Sequence, residues 1–83
     1  MNKFNHTFVG TYDGLVGFGA DRQTDENTLK VYFQMISDDD TLDTLVKRMD
    51  ETALEQAFSY ISGLLKQYLS EDEYHEIFLK DPH

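Results

Sequence analysis

Asp38, Asp39, Asp40 and Asp43 form the densest group of potential metal ligands in the chain. Closely spaced carboxylates are the oxygen donors that Ca²⁺ and Mg²⁺ take. A calcium loop of the EF-hand type needs glycine at its sixth position and glutamate at its twelfth. Counted from Ser37, the sixth position is Leu42, and Val46 and Lys47 stand where later ligands are required. The aspartates are therefore expected to open a helix, where a cap and several acids meet the positive end of the helix dipole.

Other chemistry is as poorly supplied. His6, His75 and His83 are far apart, and none forms a His-x-x-x-His pair. His75 adjoins Glu76, but adjacent helical residues point in different directions. Gly14, Gly17 and Gly19 do not follow the GxGxxG order, and no helix start follows them to receive a phosphate. The serines and threonines have no base at a suggestive spacing. The sequence thus nominates no catalytic residue, no metal site and no cofactor.

What remains is a surface for binding. Asp72, Glu73 and Glu76, with Asp38–Asp43 as a second group and Asp50, Glu51 and Glu55 as a third, are acids at helical spacings. Such neighbours lie about 5–6 Å apart at Cβ, against one charge per about 1.7 Å of axis in duplex DNA. An acidic face of this kind can imitate nucleic acid toward a basic protein. A different signal lies between residues 56 and 67, where Ser59, Ser62 and Gly63 are small and Tyr60 is an aromatic anchor of the kind enriched at interfaces.

Composition supports binding over catalysis. Sixteen acids against seven bases give a net charge of −9, which disfavours direct contact with nucleic acid or an anionic membrane. Eighty-three residues are expected to form a single domain, 1–83, with a core too small to spare a deep active site. No cysteine is present, no signal-peptide pattern is evident and no run reaches membrane-spanning length, so a cytoplasmic protein is expected.

These residues need elements to position them, and hydrophobic periodicity divides the chain near Ser37. Residues 4–12 and 15–20 read as strands joined by Asp13-Gly14, a hairpin signal of type I′. That register sets Tyr12 opposite Leu15, Val9 opposite Phe18 and Gly10 opposite Gly17. Residues 21–28 read as a polar loop, and residues 28–36 as a third strand with Leu29, Val31, Phe33 and Met35 on one face. Leu42, Leu45, Val46 and Met49 have the spacing of an amphipathic helix. Thr52 with Glu55 has capping-box spacing, so a break near Asp50 to Thr52 is preferred to the alternative of one long helix from Thr41 to Leu69; the second helix has the stripe Leu54, Ala57, Phe58, Ile61, Leu64, Leu65 and Tyr68. Ser70 and Glu73 have capping-box spacing and open a last helix over residues 71–80, with Pro82 beyond its end. The expected fold is α+β: a three-stranded antiparallel sheet, made of the N-terminal hairpin and a third strand, followed by two or three helices on one face.

The function expected from this sequence is a small acidic protein-binding module or regulator without catalytic activity. Its sharper form is an inhibitor that mimics nucleic acid, binding through Asp38, Asp39, Asp40, Asp43, Tyr60, Asp72, Glu73 and Glu76. The alternatives are a structural subunit completed by homodimerisation through the second sheet face, and a small ligand-binding domain or enzyme using Tyr12, Tyr32, His6 or His75.

Overall fold

The computed structural model describes residues 6–81, and among them there is no strand. The element order is α1 (Phe8–Thr11), α2 (Arg22–Ile36), α3 (Asp39–Arg48), α4 (Glu51–Tyr68) and α5 (Glu71–Glu73), the last running into a π-helical turn, Tyr74–Phe78. The expected α+β sheet is therefore corrected to an all-helical architecture, and dimerisation through a sheet face has no sheet to rest on. Part of the first expected strand, residues 4 and 5, lies outside the described residues, as does Pro82.

The hairpin fails at its turn. A type I′ turn needs positive φ at both central residues, and neither Asp13 nor Gly14 has it; Gly19 is the described glycine at positive φ, 103°. Instead Tyr12 folds back, donating its hydroxyl to the Leu15 carbonyl at 2.7 Å. The third strand fails because a run so rich in apolar residues satisfies two periods at once. Leu29, Val31, Phe33 and Met35 alternate, but Leu29, Tyr32, Phe33 and Ile36 are also i, i+3, i+4 and i+7. Helix-start signals upstream decide between them. Asp21 accepts the Thr24 amide at 2.8 Å and its hydroxyl at 3.1 Å, and Arg22 pairs with Glu26 one turn on, at 2.6 Å. The supposed polar loop is thus the first half of α2.

The helical second half follows expectation more closely. Asp38 caps α3 by accepting the Thr41 amide at 3.2 Å. The chain breaks after α3, and α4 restarts with Asp50, rather than Thr52, as its cap, accepting the Ala53 amide at 2.8 Å. Ser70 and Glu73 form a complete capping box. The last helix is shorter than residues 71–80 and passes into the π turn, closed by the Leu79 amide on the Tyr74 carbonyl at 2.9 Å.

Two compact units are distinguishable, Asn5–Val46 and the chain from Lys47 onward. In the first, α1 lies on α2. The Val9 amide donates to the Gln34 side chain at 2.8 Å, Phe8 stacks on Tyr12 with centroids 5.2 Å apart, and Lys30 sits 4.9 Å from the Phe8 ring centre. The covered face of α2 is mostly polar: Thr24, Asn27, Thr28, Val31 and Gln34 are buried or half-buried. Its apolar stripe, Leu29, Tyr32, Phe33 and Ile36, is exposed. In the second unit no described residue is buried. The α4 stripe expected to form the core is half-buried at Ala57, Leu64 and Leu65 and exposed at Leu54, Phe58, Ile61 and Tyr68.

Candidate functional site

The residues singled out from sequence fall into separate places. Asp39 and Asp40 occupy the first turn of α3 behind the cap Asp38, with Asp43 one turn on; all four are exposed. No group of three or more His, Asp or Glu side chains that could hold a metal occurs among the described residues. Asp72 and Glu73 lie in α5 and Glu76 in the π turn, all exposed. Glu73 is already engaged, accepting the Ser70 amide at 2.8 Å while its own amide donates to the Ser70 hydroxyl at 3.2 Å. Tyr60 stands on α4 with its side chain largely in solvent.

Two depressions mark the surface. One, of about 410 Å³, lies where α4 turns into α5 and is lined by Ser62, Leu65, Lys66, Leu69, Ser70 and Tyr74. The other, of about 540 Å³, is open and includes His6, Val9, Gln34, Met35 and Asp38. His75 is half-buried and meets Tyr74 edge-on, with ring centres 5.7 Å apart.

The most constructed surface feature is one that sequence reasoning passed over as a hairpin strand. The loop between α1 and α2 is held at four backbone atoms. The Leu15 carbonyl accepts from the Tyr12 hydroxyl. The Gly17 amide donates to the Thr28 hydroxyl at 3.0 Å, and that hydroxyl donates in turn to the Gly17 carbonyl at 3.3 Å. The Gly19 amide donates to Asp25 at 2.7 Å. One buried threonine thus clamps both polar groups of the loop's middle residue. Gly19 then takes a backbone conformation that side chains strongly resist.

On either side of this clamp, Leu15 and Phe18 are each 75% exposed. Tethered backbone with outward apolar side chains inverts the usual arrangement, in which ordering a loop is offset by burying its apolar groups. Asp13, Asp21 and Asp25 bring carboxylates to the same segment. The carboxyl of Asp21 is held below its ordinary range, chiefly because it accepts the Thr24 backbone amide and then the Thr24 hydroxyl. The guanidinium of Arg22 is pushed further up by its hydrogen bond with Glu26.

A signal for this loop exists in the sequence. Had Asp21 and Thr24 been read as a helix start, residues 13–20 would have remained as a glycine-rich loop carrying three large apolar residues, Leu15, Val16 and Phe18. Chemically the arrangement offers no nucleophile and no acid–base pair; it offers two exposed apolar side chains on a tethered backbone, in an acidic setting. No described helix is long and apolar enough to cross a membrane. Comparison with protein-family models, with curated proteins and with solved structures gave no match.

Proposed function

We propose that the chain is an acidic protein-interaction module, without catalysis of its own, that seats Leu15 and Phe18 in an apolar pocket of a basic protein. The observation that carries this reading is the loop clamp: four tethered backbone atoms hold two side chains that remain 75% in solvent. Conformational entropy lost before association is not lost again on binding, so a pre-ordered loop binds more tightly than a floppy one. Anchors of this type concentrate interface energy in a few apolar or aromatic side chains. The net charge of −9 attracts and orients a cationic partner from a distance.

The nucleic-acid mimic is not favoured over this reading by any specific observation. Asp38 and Glu73, two of its acids, are tied to helix starts.

The test is affinity purification from the native host, comparing the natural chain with the double variant Leu15→Asp, Phe18→Asp. Both positions are exposed, so helix content by circular dichroism should be unchanged. The expected result is a basic protein recovered with the natural chain and lost with the variant. Recovery of the same partner at the same stoichiometry by both proteins would refute the loop as the contact. Loss of that partner only on neutralising Asp72, Glu73 and Glu76 together would instead establish the acidic surface.

A further inference from the structure

Independently of the loop, we infer that α4 is a self-pairing helix: two copies of the chain associate through it, antiparallel and centred on Ile61. Leu54, Phe58, Ile61, Leu65 and Tyr68 recur at alternating steps of four and three, which draws one straight apolar line along a helix. Four of the five are exposed, Phe58 by 74%, Tyr68 by 69%, Ile61 by 50% and Leu54 by 40%.

The occupant of this face is identified by its symmetry. A two-fold interface requires a surface that is its own complement. Reversed about Ile61, the stripe and the half-buried residues beside it map onto each other: Leu54 onto Tyr68, Phe58 onto Leu64, and the large Leu65 onto the small Ala57. Each large side chain of one copy therefore meets a space or an apolar neighbour on the second, and Ile61 meets Ile61.

Charge follows the same reversal. Residues 56–65 carry no charge at all in a chain that is 28% charged, so the middle of the seam has no like charges to desolvate. Glu55 and Lys66 flank the stripe along the same edge, eleven residues apart. Antiparallel pairing brings the Glu55 of one copy to the level of the second copy's Lys66, twice over. Parallel pairing puts the two Glu55 side chains on opposite sides of the seam, and neither meets a Lys66. Antiparallel packing also opposes the two helix dipoles.

The area sets the strength of the pair. An aromatic side chain offers about 150–250 Å² and the aliphatic ones about half to two-thirds of that. The exposed fractions of the four residues then amount to about 300–500 Å² per copy, and a pair buries about 600–1,000 Å². This is the range of weak, concentration-dependent pairs.

The chain contains no cysteine, so single introduced thiols report the geometry directly. Two thiols join only when their Cα atoms come within about 7 Å. Across an Ile61-centred antiparallel pair, Leu54 lies about 21 Å along the axis from its counterpart, fourteen residues at 1.5 Å each. The experiment is sedimentation of the natural chain at about 5–100 µM, the micromolar range of a weak pair, together with mild oxidation of Ile61→Cys, of Leu54→Cys, and of an equimolar mixture of Leu54→Cys with Tyr68→Cys.

The expected result is a dimer by sedimentation. Ile61→Cys should give covalent dimer at least tenfold faster than Leu54→Cys alone, and the mixture should form the heterodimer. Glu55→Lys should weaken association, and the swap Glu55→Lys, Lys66→Glu should restore it without any change to the apolar seam. A single 9.7 kDa species at every concentration would overturn the inference. So would self-joining of Leu54→Cys as fast as that of Ile61→Cys, which marks a parallel pair. Neither outcome bears on the Leu15 and Phe18 loop, which is read out by partner recovery.

Discussion

Thr28→Val removes the loop clamp while leaving the shape of the side chain almost unchanged. Thr28 is 5% exposed, and its hydroxyl makes two bonds with Gly17, at 3.0 and 3.3 Å. A neutral hydrogen bond contributes about 0.5–1.5 kcal/mol net, so two are worth about 1–3 kcal/mol. The Gly17 end is exposed and recovers water on opening, and the added methyl gains some apolar burial. Both effects place the expected cost in the lower half of that range, about 1–2 kcal/mol. Because the clamp is local, the cost appears as loop opening before it appears as global unfolding.

The assay is amide hydrogen exchange by NMR at Gly17 and Gly19, alongside a urea titration. An opening easier by about 1–2 kcal/mol speeds exchange at Gly17 about 5–30-fold. Thr28→Ser separates the hydroxyl from the methyl. It gives up buried carbon, so its urea midpoint falls, but it keeps the clamp, so Gly17 stays protected. Exchange at Gly17 within twofold of the natural chain in Thr28→Val would refute the reasoning, as would equal loss of protection in Thr28→Ser.

Three further outcomes follow from the caps and the chain reversal. Ser70→Ala should cost about 1 kcal/mol of local helix stability, while Glu73→Gln, which retains an acceptor for the Ser70 amide, should cost much less; helix content against temperature distinguishes them. Lys80 sits at φ 57°, closing the π turn with the Asp81 amide on the His75 carbonyl at 2.8 Å. Lys80→Gly should therefore stabilise by about 0.5–1 kcal/mol in urea. Asp21 has a folded-state pKa below its unfolded value, so its contribution is present above the ordinary carboxylate range. It is lost as pH falls through the lowered value. Asp21→Asn should remove that step from the acid titration of α2 helicity, and an unchanged titration would count against the cap.

How much of this was legible in the sequence depended on whether local chemistry or long-range burial decided the element. The break between α3 and α4 and the Ser70–Glu73 box were readable because caps are short-range and carry their own hydrogen bonds. The first half misled for a physical reason. Residues 28–36 satisfy strand and helix periods together, and Asp13-Gly14 resembles a hairpin turn only when φ is positive. The tie was broken by Asp21, Thr24 and the Arg22–Glu26 pair, which are polar and therefore look like loop. The clamp at Thr28 joins residues eleven apart, and no periodicity announces such a bond. The places of Asp38 and Glu73 at helix starts were legible from the same short-range signals, and the bonds to the Thr41 and Ser70 amides bear them out. The exposure of the α2 and α4 stripes was unreadable, because an amphipathic pattern states that a face seeks cover and not what covers it.

The claim on which the proposed function depends is that Leu15 and Phe18 are held rigidly outward in the isolated chain. It is tested most directly by ¹⁵N relaxation at Gly17 and Gly19, combined with paramagnetic solvent enhancement at the Leu15 and Phe18 side chains. Order parameters near about 0.85, the value of rigid backbone, together with strong solvent enhancement at both side chains are the predicted result. Order parameters below about 0.6, or side chains shielded from the paramagnetic probe, would contradict it.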